Sequence, residues 1–238
     1  MTNKREEVLS WILWQDQDLM LINKPTGLLC IKDGYDESLP NIRQLFSKQI
    51  GPTWVVHRLD KETSGVMILA KNANAHRHLN QQFELRKIKK EYHAIITSIP
   101  EWRKKTINIP LLVDGDRKHR TVRNDKKGKP ASTTFQVLSE NNGHALIAAL
   151  PHTGYRHQIR SHLRELHLTI LQDRLYSTRN TNDNQNLLNV INRLALHAYQ
   201  ITFIHPATGR PVKFKAPYPN DMQNACLKLG LIPHQSLD

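Results

Sequence analysis

Short apolar runs separated by turn residues predict a chain rich in strands. Leu19–Ile22 is one such run, and it ends at a Lys-Pro-Thr-Gly turn. Trp54–Val56 and Val66–Leu69 enclose a polar segment, as expected for a loop carried between two strands. Similar runs at 133–138 and 145–150 predict two further strands. The chain shows no internal repeat, and its length suits one domain or two closely packed lobes.

Helical spacing appears in fewer places. Between residues 74 and 86 the apolar positions recur every fourth residue, which predicts an amphipathic helix. A strand is then expected to begin near Glu91, with Tyr92, Ala94 and Ile96 on one face because strand side chains alternate.

A second helix is predicted from Ile159 to Leu166, where apolar residues again follow helical spacing. At 100° per residue, Arg156, Arg160 and Arg164 fall on the flank of its apolar stripe. The planar fork of arginine suits a phosphate or a carboxylate equally. The arginines of this helix are therefore expected to bind a phosphate or a carboxylate. The alternative is an ordinary surface helix with solvated arginines.

The net charge of the chain indicates the class of partner that it binds. The 238 residues include 34 Lys and Arg against 21 Asp and Glu, a formal net charge of +13. Such a surface suits a polyanion, and nucleic acid is the leading candidate, although charge tuned only for solubility is the alternative. The region 110–130 concentrates this charge and is predicted to be a long hairpin connection or an extended arm. Its charges either contact phosphates or form a solvated face.

The cysteines and the hydropathy of the chain indicate the cellular compartment in which the protein is expected. Cys30 and Cys226 lie far apart and belong to no metal-like cluster, so neither a disulfide framework nor a metal site is expected. Val8–Trp14 is interrupted by a serine and lacks a cleavage signal, and no apolar run approaches the roughly 20 residues of a membrane span. We therefore expect a cytoplasmic protein without a membrane segment.

The polar segment between the runs at 54–56 and 66–69 carries the strongest candidate for chemistry. Here Asp60 stands two residues after Arg58 in a loop that closes at Gly65. A carboxylate beside a guanidinium stays ionised and can act as a nucleophile, and loops held by rigid strands often carry catalytic residues. Asp60 is therefore the predicted nucleophile.

Several segments together resemble the RluA-type RNA pseudouridine synthases, over about residues 11 to 219. The segment His57-Arg58-Leu59-Asp60 through Thr63-Ser64-Gly65 is similar to the catalytic signature of that family. The others occur in the family's order: Asn23-Lys24-Pro25-Thr26-Gly27-Leu28, Lys89-Lys90-Glu91-Tyr92, Gly128-Lys129-Pro130-Ala131, Thr153-Gly154 with His157-Gln158-Ile159-Arg160, and Leu196-His197-Ala198 with His205-Pro206-Ala207-Thr208-Gly209.

The resemblance implies an α+β fold with a mixed, largely antiparallel central sheet, flanking helices and a basic cleft. It also implies the isomerisation of uridine to pseudouridine in an RNA chain. The bond from N1 of uracil to the ribose breaks, and the base rotates and rejoins through C5. The resemblance implies no cofactor and no metal.

It further implies roles for individual residues. Asp60 would attack either C6 of the ring or C1′ of the ribose, and the sequence leaves both routes open. Arg160 would pair with Asp60 and favour its charged form. Tyr92 would stack on the base and assist removal of the C5 proton. Substrate binding is expected of His57, Arg58, Arg156 and Lys129, with Arg58 holding the displaced nucleotide or filling its place.

Some positions depart from the family pattern. Tyr155-Arg156 stands where the family has Arg and then a small residue, so the contact of that first arginine is either lost or supplied by Arg156. Gln172 and Ser177 stand where the family has glycine. These departures affect cleft shape and substrate choice more than the nucleophile.

The expected organisation is an N-terminal tail at 1–10, a catalytic domain at 11–219 and a C-terminal extension at 220–238. We expect this organisation to correspond to the short form of the family, without a separate N-terminal RNA-binding domain. Ribosomal RNA, transfer RNA or both are the expected substrates, with loops of unpaired bases as targets. We expect a monomer.

Two other functions remain as alternatives. The first is a noncatalytic RNA-binding protein that retains the synthase fold, against which the retained Asp60, Tyr92 and Arg160 argue. The second is an aspartate-dependent hydrolase or nuclease acting on DNA. It is weaker because metal-dependent nucleases need several clustered carboxylates, and only Glu62 lies near Asp60 in the sequence.

Overall fold

The computed structural model describes residues 4–34, 36–177 and 189–232. The chain divides into two compact units, of which the first comprises Met1–Lys90 and Ala198–Pro217 and the second Glu91–His197 and Tyr218–Asp238. The described helices are α1 (Lys4–Ser10), α2 (Ile42–Gln49), α3 (Ala73–Glu84), α4 (Gln158–Glu165) and α5 (Asn220–Lys228). The described strands are β1 (Ile12–Gln15), β2 (Leu19–Lys24), β3 (Trp54–Val55), β4 (Ser64–Ala70), β5 (Lys89–Ile96), β6 (Lys104–Asn108), β7 (Leu111–Leu112), β8 (Val122–Arg123), β9 (Ser132–Asn141), β10 (His144–Pro151), β11 (Leu196–Ile204) and β12 (Pro211–Lys215).

The first unit is built around strands in the order β1-β2-β4-β11, with β3 paired to β4 and β12 to β11. β2 and β4 are antiparallel, with Leu19 opposite Ala70 and Lys24 opposite Gly65. All seven residues of β4 are buried, which explains why its sequence is almost continuously apolar. The predicted strands at 19–22 and 66–69 and the predicted helix at 74–86 are confirmed as β2, β4 and α3.

The second unit carries strands in the order β5-β10-β9-β6. β9 and β10 contain the strands predicted at 133–138 and 145–150; they pair antiparallel with each other, and β10 also pairs antiparallel with β5. Their buried apolar residues form one core with α4 and α5, to which α5 contributes Met222, Ala225 and Cys226. The fold is therefore α+β with largely antiparallel strands, as the family resemblance implies.

The start of α4 differs from the prediction made from its arginines. His157 has a φ of 54° and precedes the helix, which begins at Gln158. Arg156 therefore lies outside the helix and is exposed, whereas Arg160 lies inside it and is buried. The three arginines do not share one helical flank, because the chain changes direction at His157.

The ends of the chain hold regular structure where they are described. The predicted tail at 1–10 contains α1, whose Val8 is buried, and the predicted extension at 220–238 contains α5. Residues 1–3 and 233–238 of those segments lie outside the described residues. The domain limits stay predictions. No described helix combines the length and the apolar character that crossing a membrane requires.

Candidate active site

The loop that carries Asp60 joins β3 to β4, as predicted. The two strands pair antiparallel, with Val55 opposite Leu69, so the loop is held at both ends by the sheet. Within it the N–H of Thr63 donates to the carbonyl of Asp60 at 3.1 Å, which closes a turn. Asp60 is half-buried and Arg58 is exposed. The loop thus presents a carboxylate and a guanidinium from a fixed backbone.

The segment after β2 supports this loop. The Lys24 side chain is fully buried, and its Nζ donates to the carbonyls of Pro25 at 2.8 Å and Lys61 at 3.3 Å. The N–H of Gly27 donates to the same Lys61 carbonyl at 2.8 Å. A buried ammonium is tolerated only when its hydrogen bonds are satisfied, so Lys24 ties the loop to the end of β2. The residue next to Asp60 is fixed as a consequence.

Cys30 fixes the residue on the other side of Asp60. Its Sγ donates to the Leu59 carbonyl at 3.2 Å and accepts from the Leu59 N–H at 3.3 Å. Burial raises the pKa of the Cys30 thiol, so the sulfur keeps the proton that it donates. The sequence drew no attention to Cys30 beyond its lack of a disulfide partner, and indeed both described cysteines are free.

His57 joins the loop to β4. Its Nε2 accepts the N–H of Ile68 at 2.9 Å, and its ring stacks on Phe83 with centroids 4.8 Å apart. Burial, followed by the charge of Lys90, lowers the pKa of His57 to about 3. The imidazole is therefore neutral at pH 7, and one of its nitrogens is committed to the main chain.

In the second unit, Arg160 is held by a carboxylate. Its Nε and Nη2 donate to the two oxygens of Asp173 at 2.8 and 2.7 Å, and the two side chains are only 4% and 1% exposed. Asp173 also accepts the N–H groups of Leu175 and Tyr176 at 3.1 and 3.0 Å. A bidentate pair of this kind fixes the plane of the guanidinium. Arg160 is thus a buried and oriented cation rather than a surface arginine.

Tyr92 lies in β5 and is half-buried, opposite Ala149 of β10. The neighbouring His93 bonds to the Tyr218 hydroxyl through Nδ1 and to Glu91 through Nε2, the latter at 2.9 Å. The strand pairing and this series of side-chain bonds hold the backbone at Tyr92. Its ring is therefore carried by a rigid element.

The remaining predicted binding residues are exposed in the second unit. Arg156 Nη1 lies 2.7 Å from Asp114 Oδ1, and both side chains are accessible. Lys129 exchanges both of its main-chain hydrogen bonds with Leu111, each at 2.9 Å, and its side chain is exposed. Both cations are accessible to a phosphate.

The sequence model of the family described as RNA pseudouridylate synthase matches residues 18–165. The chain belongs to this family. The match covers the Asp60 loop, Tyr92 and Arg160. It confirms the family and the enzymatic activity expected from the sequence, in preference to the noncatalytic alternative.

Relatives and solved structures agree with this membership. The chain is 36% identical over 228 residues to the ribosomal large subunit pseudouridine synthase C of Buchnera aphidicola subsp. Acyrthosiphon pisum, covering 93% of this chain and 71% of that protein. It is 33% identical over 216 residues to the dual-specificity RNA pseudouridine synthase RluA of Escherichia coli K12, covering 90% and 96%. The solved structure of human RNA pseudouridylate synthase domain containing 4 is 27% identical, with a TM-score of 0.79 over 97% of both chains.

Within this family member, the structure distributes the predicted residues over the two units. The first unit brings His57, Arg58 and Asp60 into one loop, and the second carries Tyr92, Lys129, Arg156 and Arg160. Sequence reasoning missed the supporting roles of Lys24, Cys30 and Asp173. A lysine at the end of the apolar run of β2 is an available signal for Lys24. No local signal points to the other two, because their partners are distant in sequence.

Proposed function

We propose that this synthase acts on ribosomal RNA, transfer RNA or both, with Asp60 as its nucleophile. The observation that carries the assignment is the loop of Asp60, a half-buried carboxylate whose two neighbouring residues are fixed by Lys24 and Cys30. A nucleophile held on a fixed backbone avoids much of the entropy cost of alignment. The relatives named for ribosomal large subunit and dual-specificity activity support the choice of substrates.

The chemistry proceeds through a covalent intermediate. The Asp60 carboxylate adds to C6 of the uracil or to C1′ of the ribose, and the N1–C1′ bond breaks. The base rotates, a C5–C1′ bond forms, the bond to Asp60 breaks and returns the free carboxylate, the C5 proton leaves and N1 ends protonated. The target nucleotide must first leave its stack, which costs a few kcal/mol that contacts to the RNA backbone offset.

The second unit supplies the other roles in this proposal. Tyr92 stacks on the uracil and assists the departure of the C5 proton. Arg160 serves as counter-charge to the nucleophile, and its bidentate pair with Asp173 keeps the guanidinium in one orientation. Arg58, His57, Arg156 and Lys129 bind the RNA, and the bond from the Ile68 N–H to Nε2 of His57 also holds the loop to β4.

Unpaired RNA loops are the proposed targets, because their bases can be splayed out without breaking a duplex. We propose that the enzyme acts as a monomer in the cytoplasm, where ribosomal and transfer RNA are available. Its charge of +13 supports the RNA assignment. Pseudouridine mapping of total RNA from cells with and without the gene identifies the modified position.

Tritium release from RNA labelled at uracil C5 tests the nucleophile. Asp60→Ala and Asp60→Asn are expected to lower the rate by about 1000-fold or more, because no covalent intermediate can form. RNA affinity is expected to stay within about twofold, since phosphate contacts dominate it.

Glu62→Gln provides the matched control, because Glu62 is an exposed carboxylate of the same loop. It is expected to leave the rate unchanged. Release at the normal rate by Asp60→Ala would remove Asp60 from the mechanism. A wild-type protein that binds RNA and releases no tritium from any RNA would instead support the noncatalytic alternative.

A further inference from the structure

The segment from Pro110 to Pro130, which we call the basic arm, has a charge pattern that sorts into two groups. Each of its aspartates is engaged by an arginine: Asp114 by Arg156, Asp116 by Arg120, and Asp125 by Arg123. Five other cations of the arm are exposed and form no ion pair with any described residue, namely Arg117, Lys118, Lys126, Lys127 and Lys129. The acids are thus neutralised and a set of free cations remains.

The arm has a defined backbone. β7 and β8 pair within it, and Leu111 exchanges two main-chain hydrogen bonds with Lys129 at its base. The side chain of Asn124 accepts the N–H groups of Lys126 and Lys127 at 3.1 and 2.8 Å. These bonds fix the backbone that carries the exposed lysines before any ligand binds.

One buried side chain connects the arm to the start of α4. The Tyr176 hydroxyl accepts the N–H of Thr121 at 2.8 Å and lies 3.1 Å from the Thr121 carbonyl, to which it donates. Thr121 Oγ1 in turn donates to the carbonyl of Arg156 at 2.6 Å. Thr121 and Tyr176 are both buried. Their bonds tie the middle of the arm to Tyr176 and to a residue that precedes α4.

The ring of Tyr176 faces Arg160 in the same unit. The Arg160 guanidinium carbon lies 4.9 Å from the ring centroid, within the range of a cation–π contact. The main-chain N–H of Tyr176 also donates to Asp173, the partner of Arg160. Tyr176 therefore touches the arm through its hydroxyl and the Arg160–Asp173 pair through its ring and backbone.

We propose that the basic arm binds RNA phosphates and that the Tyr176 hydroxyl is the positioning group that holds the arm next to Arg160. This proposal rests on the proposed function only in taking RNA as the substrate. The arm offers free cations on a fixed backbone, which is the arrangement that phosphate binding requires. Tyr176 contributes geometry and touches no RNA itself.

Tyr176→Phe tests the proposal because it removes the hydroxyl and keeps the ring beneath Arg160. The measurements are filter binding of a transcript of large-subunit ribosomal RNA at several KCl concentrations, and tritium release with the same transcript. The variant loses the hydroxyl's two bonds to Thr121 and its 3.2 Å contact with His157 Nδ1, and it is expected to raise Kd and KM about three- to tenfold with kcat within about twofold. The slope of log affinity against log salt is expected to become shallower by roughly 0.7 for every phosphate that the variant ceases to bind.

Asn141→Ala is the matched control. It deletes a side-chain bond to the Leu229 carbonyl in the same unit and leaves the arm intact. It is expected to lower stability without changing Kd, KM or the salt slope. Thr121→Val provides a second disturbance of the arm, through loss of its bond to the Arg156 carbonyl, and is expected to act in the same direction as Tyr176→Phe.

A combination of variants distinguishes two causes of weaker RNA binding by Tyr176→Phe: displacement of the basic arm, and a general loss of folded protein. Lys126→Ala with Lys127→Ala should weaken RNA binding on its own. In the Lys126→Ala and Lys127→Ala background, Tyr176→Phe should lower RNA affinity by a smaller factor than it does in the wild-type background. The reason is that fewer cations of the arm then depend on the hydroxyl for their position. Fully additive effects, or a Tyr176→Phe protein with lowered stability and unchanged KM and salt slope, would overturn the proposal. Binding does not require turnover, so a protein that binds but does not catalyse refutes the proposed function and leaves this test intact.

Discussion

Gln172 shows how one residue can be held in an unfavourable state. Its φ is +62°, a region that side chains with a Cβ rarely adopt, and the residue is only 7% exposed. Its buried Nε2 has no hydrogen-bond partner among the described residues. This is the position at which the resembled family has glycine, and the backbone explains that preference, because glycine adopts positive φ without strain.

Gln172→Gly is therefore expected to raise the free energy of unfolding by about 1 kcal/mol or more. The substitution relieves backbone strain and removes a buried donor without a partner, each a contribution of roughly 1 kcal/mol. Urea unfolding measures the change. His167→Gly serves as the control, because His167 has a φ of +57° but is exposed, so only the backbone contribution applies. A Gln172→Gly protein less stable than the wild type would mean that the glutamine makes a favourable contact.

Among the helices and strands, most of the regular structure follows from local patterns. The period of four at 74–86 corresponds to α3, and the apolar run at 66–69 to β4, because each buries one face or both. The start of α4 did not follow from its pattern, because the helical spacing gives no sign of the positive φ at His157. The pairing of β4 with β11 likewise joins segments far apart in the chain. Gly65 is the local sequence feature that this pairing requires, because a Cβ there would meet the backbone of Ala198.

Gly65→Ala is expected to destabilise the protein by about 3 kcal/mol or more. A Cβ at this position would meet the backbone of Ala198 in β11, at 2.6 Å from its nitrogen, and the φ of Gly65 is +119°. Neither backbone can shift without breaking the strand pairing. The expected result is a large drop in the urea midpoint or loss of soluble protein.

Gly143→Ala distinguishes the cost of the steric clash from the cost of placing a residue with a Cβ at a positive φ. Gly143 also has a positive φ, +76°, but a Cβ there would meet nothing within 4 Å. It is expected to cost about 1 kcal/mol, from backbone strain alone. Equal effects of the two substitutions would contradict the close approach of β4 and β11.

Across the whole molecule, burial of histidines makes stability depend on pH. The pKa of His57 falls to about 3 through burial and the charge of Lys90, and burial also lowers the pKa of His162. In the unfolded chain both side chains titrate near pH 6.5. Between about pH 6.5 and 3 the unfolded state therefore binds more protons than the folded state, and stability falls as the pH falls.

We expect the urea midpoint to be highest above about pH 6.5 and to decrease from there to about pH 5. The aspartates with lowered pKa, such as Asp16, respond only at lower pH, so this window isolates the histidines. His57→Gln retains an acceptor for the Ile68 N–H but does not titrate, and its midpoint is expected to decrease less over the same window. A decrease equal to that of the wild type would show that His57 takes up its proton without unfolding.

Local patterns in the chain pointed to Asp60 and to the elements that hold the other candidate residues, whereas the roles proposed for Tyr92 and Arg160 came from the family resemblance. Asp60 between two apolar strands, Tyr92 in an alternating strand and the basic arm all follow from short-range patterns, because propensity and alternation act over a few residues. Only the tertiary structure shows that Asp173 binds Arg160, that Cys30 bonds to both main-chain groups of Leu59 and that Tyr176 connects the arm to α4. Those bonds join residues 13, 29 and 55 positions apart, and their geometry depends on how buried polar groups find partners when the core forms.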